Sequence, residues 1–159
     1  MNGLVISEGE KFYTDLRSVF DAISIDKCKE YNWLLTDYEC YPQNDEIREL
    51  FSGKPVILSG EKITELLEQE NFQWIWGVFS AFDKSVDDEK IFNQKLPFAE
   101  GNSDIWELPI SIQHPLALME IIAWDSSLTI VISRDDSVIS SIQKSRVSAI
   151  ALEKYINEE

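Results

Sequence analysis

Leu118-Met119-Glu120-Ile121-Ile122-Ala123-Trp124 and Leu128-Thr129-Ile130-Val131-Ile132-Ser133, joined by Asp125-Ser126-Ser127, are the stretch on which the fold turns. Both runs are rich in branched and aromatic side chains, which fit a pleated surface better than a helix. The short polar connection between them predicts a β-hairpin. Working outward, Phe72–Phe82 carries Phe72, Trp74, Trp76 and Val78 at one parity and Ile75, Gly77 and Phe79 at the other. Apolar residues at both parities predict a strand covered on both sides, with each set on its own face. Tyr31–Cys40, with Trp33, Leu34, Leu35 and Tyr38, reads as a further strand that closes at Tyr41-Pro42. Pro55–Leu58 is a short strand or extended link, and Ile105–Ile112 a possible strand that Pro109 would place at an edge or divide.

Helical periodicity occupies the rest. Phe12, Leu16, Val19, Phe20 and Ile23 share one face of a helix predicted over Glu8–Ile23, with Ser7 and Glu10 in capping-box spacing. Asn44 heads a short helix through Phe51, and Ser59 heads one over Glu61–Glu70 that turns Ile63, Leu66 and Leu67 inward. Asp135 and Asp136 stand where they favour the dipole of a C-terminal helix with Val138, Ile139 and Ile142 on one face, broken near Ser145–Ser148. Asp83–Gly101 is polar and reads as a long surface excursion. No repeat or linker divides the chain, so one globular domain over residues 1–159 is expected. The class is α+β: a central, mainly antiparallel sheet of about four to six strands with helices packed mainly on one face.

The 159 residues, 44% of them hydrophobic, suffice for one ordinary core, burying roughly 70% of the unfolded chain's surface. Charge is the unusual quantity: 29 acidic against 14 basic residues give a formal net charge of −15. Such a chain repels phosphate backbones and anionic lipid, which argues against nucleic acid or membrane as partner and for a basic protein. The same acidity also serves simple solubility. Met1–Ser7 lacks the basic flank of a signal peptide, and no stretch reaches the ~18 apolar residues of a membrane span, so the expected location is the cytoplasm. Cys28 and Cys40 are too few for a disulfide framework and lack zinc-site spacing.

Chemistry-bearing motifs are sparse. His114, the only histidine, precedes Pro115 and reads as a turn residue with a structural or solvent role. The six glycines form no phosphate cradle. Asp37 and Glu39 alternate on a predicted strand and so would share a face, where they could act as an acid/base pair, bind a cation or simply be solvated. A small hydrolase using Asp37 or Glu39 with His114 is therefore one reading. The better candidates are for partner binding: one acidic block of Asp37, Glu39, Asp45, Glu46 and Glu49, and a second of Asp83, Asp87 and Asp88 with Glu89. Converging on one face, they would steer a positive partner; scattered, they would only keep the protein soluble. Of the five tryptophans, Trp74 and Trp76 are expected in the core and Trp106 as an exposed anchor. No catalytic residue, metal or cofactor is assigned.

The runs Tyr31–Cys40, Phe72–Val78 and Pro109–Ser127 resemble small, acidic bacterial proteins, some of them grouped with immunity proteins of polymorphic or contact-dependent toxin systems. The resemblance rests on strand sequences and carries over no active site. It implies an immunity protein that binds and neutralises a basic cognate toxin domain, a nuclease among the candidates. The alternative is a small regulatory or structural interaction protein.

Overall fold

In the computed structural model, which describes residues 1–159, one seven-stranded sheet organises the chain. Its strands are β1 (Asn2–Ile6), β2 (Tyr31–Cys40), β3 (Val56–Ser59), β4 (Trp74–Asp83), β5 (Met119–Trp124), β6 (Leu128–Ser133) and β7 (Ile150–Ala151), in the spatial order β3-β2-β4-β5-β6-β1-β7. Every pairing is antiparallel. The class is α+β, with more strands than expected. The additions are β1, whose Leu4, Val5 and Ile6 are too short a run to declare themselves, and the two-residue β7 beside it.

The expected hairpin is β5–β6, with Asp125 and Ser126 at positive φ in the turn. Seven helices accompany the sheet: α1 (Leu16–Ile23), α2 (Ile25–Cys28), α3 (Asp45–Leu50), α4 (Gly60–Gln69), α5 (Asp88–Phe92), α6 (Asp136–Ser145) and α7 (Leu152–Glu158). Asn44 and Ser59 cap α3 and α4 by accepting backbone N–H groups, as the sequence predicts, and Asp135, expected only to favour the helix dipole, caps α6 in the same way. The first helix is shorter than predicted. Asp15 caps it by accepting from Ser18 N, while Glu10, read as part of a capping box, instead pairs with Arg146.

The two sheet faces are covered differently. Trp33 and Leu35 of β2, Phe79 and Ala81 of β4, and Ile121 and Ala123 of β5 meet α1, α4 and α6 through Phe20, Leu66, Ile142 and their neighbours. On the other face, Leu34, Val78, Phe82, Ile122, Ile130 and Ile132 meet Ile91, Ala99, Ile105 and Ile112, together with Leu152 of α7. The polar segment after β4 is thus no mere surface excursion. From Lys84 to Leu118 it is a cover, placing an apolar residue every several positions onto the sheet. The strand expected over Ile105–Ile112 does not form; Ser103–Trp106 is a 3-10 turn and the rest is irregular.

Two register shifts between β2 and β4 set which residues reach which face. Thr36 and Glu39, three apart, oppose Val78 and Trp76, two apart, so one extra residue enters β2 at Asp37, which has φ +48°. Glu39 and Cys40, adjacent, oppose Trp76 and Trp74, so β4 gains one at Ile75. Trp74 and Trp76, expected on one face, therefore lie on opposite ones: Trp74 in the helix-side core, Trp76 against the cover side.

Candidate partner-binding surface

The acidic blocks sit at opposite ends of the sheet. Cys40 opposes Trp74 while Tyr31 opposes Asp83, so α3, which follows β2, and the turn after β4 are separated by a ten-residue strand, about 30 Å. Asp45, Glu46 and Glu49 are exposed on α3, and Asp45 lies 3.3 Å from Arg48. At the far end Asp83, Asp87 and Asp88 are exposed, and hydrogen bonds from Ser85 hold the Asp83 carboxyl below its ordinary range. These blocks do not converge on one patch.

Asp37 and Glu39 take different roles. At the bulge, Asp37 Oδ2 accepts the backbone N–H groups of Ala99 and Glu100 at 2.9 and 3.0 Å, clamping the cover to β2. Glu39 lies beside Trp76 across the strands, half-buried, with Oε2 lacking a hydrogen-bond partner.

His114 joins neither carboxylate. It is fully buried with its ring edge-on to Phe82 at 4.8 Å; Nδ1 accepts from Leu116 N and Nε2 sits 2.9 Å from Ile91 O. Both ring nitrogens are occupied by backbone, so the Asp37/Glu39–His114 relay is not assembled. Burial pushes the thiols of Cys28 and Cys40 up to about 12, which keeps them protonated and poorly nucleophilic near neutrality. No group of three or more His, Cys, Asp or Glu side chains is placed to hold a metal ion.

What does converge is aromatic. Trp76 of β4 and Trp124 of β5 meet edge to face at 5.0 Å, Trp106 of the cover meets Trp124 at 5.1 Å, and Tyr155 of α7 lies 5.6 Å from Trp106. Trp106, Trp124, Leu128, Tyr155, Ile156 and Glu159 line an open groove of about 290 Å³. Trp106 is half-buried, so it forms a wall of the groove where a protruding anchor was expected. Four chain segments far apart in sequence build this feature, so the sequence alone marks only its Trp106 as a binding residue. The lining contains a carboxylate and no Lys or Arg, and exposed Glu107 and Asp125 adjoin Trp106 and Trp124 in the chain. Aromatic faces carry negative potential, so carboxylates around them favour a cationic guest.

One further residue escaped the sequence reading. Glu120, the second residue of β5, is fully buried, and its Oε2 accepts from Gln113 N of the cover at 3.0 Å. A lone carboxylate inside Met119-Glu120-Ile121-Ile122, a strand covered on both sides, was the available signal.

Residues 1–103 match the model of a family described as a protein of unknown function (DUF2691), and the chain belongs to that family. The matched span includes Asp37, Glu39 and Trp76 and ends before Trp106, Trp124 and Tyr155. No curated protein and no solved structure matches the chain.

Proposed function

We propose that this DUF2691 member binds a basic protein and neutralises it, acting in the cytoplasm as the immunity half of a bacterial toxin–immunity pair. The observation that carries the reading is the aromatic groove of Trp106, Trp124 and Tyr155, lined by Glu159 and free of lysine and arginine, on a chain of net charge −15. An arginine or lysine from the partner fits such a groove, its alkyl stem on the rings and its charge near the carboxylates. The acidic groups at the two ends of the sheet act at longer range. Lying apart, they do not focus the field on the groove and contribute only to the overall negative charge that a positive surface meets. A nuclease is one suitable target, because its nucleic-acid-binding face is basic.

The test is direct binding of the purified chain to the product encoded beside its gene, at low and high salt, with the product's toxic activity assayed in parallel. Tight, salt-sensitive binding that abolishes the activity is expected, with Trp106→Ala weakening affinity at least 10-fold. A neighbour that neither binds nor loses its activity overturns the proposed pairing.

A further inference from the structure

Two carboxylates from the sheet hold the cover, in opposite surroundings. Asp37 is exposed and receives the Ala99 and Glu100 amides. Glu120 has no exposed surface and receives the Gln113 amide. Across the strands Glu120 faces Ser80 on β4 and Ile132 on β6, neither of which titrates. The titratable group that the cover brings to this layer is His114, and both its ring nitrogens are taken by backbone. No lysine or arginine forms an ion pair with Glu120. Glu120 Oε1, Ser80 Oγ and Thr36 Oγ1 are buried on this face without partners.

We propose that Glu120 is a proton-operated latch: protonated, it keeps the 84–118 cover seated, and ionised, it loosens the cover from the sheet. A neutral carboxyl suits the site. Its carbonyl oxygen can accept Gln113 N–H, and its hydroxyl can turn toward Ser80 Oγ across a strand pair whose Cβ atoms are about 5 Å apart. A carboxylate there would hold a full charge among Leu34, Phe82 and Ile122 with Gln113 alone for support, and water reaches it only if the cover lifts. Burial accordingly pushes this carboxyl up to about 7, against the opposing pull of the Gln113 hydrogen bonds. Because Trp106 lies in the cover, lifting it would also dismantle one wall of the aromatic groove. The latch itself does not depend on what that groove binds.

The experiment is amide hydrogen exchange on the intact chain from pH 6 to 8.5, corrected for the intrinsic pH dependence of exchange and compared between residues 84–118 and helix α4. In the wild type, protection of the cover should fall at least 10-fold more than that of α4. Glu120→Gln should remove that difference, while Asp37→Asn should loosen the cover at every pH and keep the slope. A wild-type cover whose protection tracks α4 overturns the latch without recourse to any variant. A slope that survives in Glu120→Gln also overturns it, because the responding group then lies elsewhere.

Discussion

The helix-covered face and the loop-covered face of the sheet bury unequal cores, 27 side chains against 13. On the first, α1, α4 and α6 present continuous apolar stripes, so each helix is held by several contacts at once. On the second, an irregular segment touches down through separated residues and two carboxylate clamps. Stability is therefore expected to be concentrated on the helix side and adaptability on the cover side. The groove, the bulge at Asp37 and the buried Glu120 all belong to the cover side. The face that contributes least to the core carries the polar and aromatic features capable of function.

The largest test of that contrast is truncation on the helix side. Trp33 is fully buried, 4.9 Å from the Phe20 ring centroid, and its indole N–H donates to Cys28 O at 2.9 Å. Trp33→Ala should cost about 3–5 kcal/mol and lower protection everywhere, because it removes a keystone between sheet and helices. Urea unfolding gives the magnitude. A loss confined to one segment would break the comparison.

Next in size is the titration of Glu120. Its carboxyl has an ordinary value of 4.5 and rises to about 7 in the fold. Below pH 4.5 both folded and unfolded states hold the proton, and the residue carries no titration penalty. Between 4.5 and about 7 the unfolded chain releases the proton first, so stability falls as pH rises, reaching a deficit of about 3 kcal/mol above 7. Glu120→Gln should abolish this loss, so its stability advantage over the wild type should grow through that window and level off above it. Thermal melts of both proteins at pH 5 and pH 8 measure the difference. An advantage independent of pH would remove titration as its cause.

Asp37 should matter less. Its amide bonds are partly solvated, so their removal costs about 1–2 kcal/mol. Asp37→Gly is the suitable variant, because glycine accepts the positive φ and the carboxylate alone is lost. Exchange should accelerate around Ala99 and Glu100 before anywhere on the helix side.

The same contrast explains what the sequence disclosed. Periodicity marks Phe20, Leu66 and Ile142 because each lies in a regular stripe, Asn44 and Ser59 announce their helices as caps, and Asp135 marks its helix by its charge at the N-terminus. The cover has no period: Ile91, Ala99, Ile105 and Ile112 are spaced irregularly, so Asp83–Gly101 reads as a surface excursion and Ile105–Ile112 as a strand. Bulges likewise escape a pattern of alternation, so the sequence reads Trp74 and Trp76 on one face and does not mark Asp37 as a clamp. The groove needs Trp106, Trp124 and Tyr155 to meet, and nothing local encodes that meeting.

Trp106 supplies the smallest stability effect and the sharpest separation of fold from binding. Its ring is half-buried against Trp124 and Tyr155 at the margin of the cover. Trp106→Ala leaves β5, β6 and the helix-side core intact, so a stability loss near 1 kcal/mol is expected, well below that of Trp33→Ala. Binding of a basic partner should fall far more, since a rigid aromatic wall contributes its area with little entropy to lose. Melting temperature and partner titration on the same preparation distinguish the two. Should Trp106→Ala unfold as readily as Trp33→Ala, the groove would be core, and the division of labour between the two faces would fail.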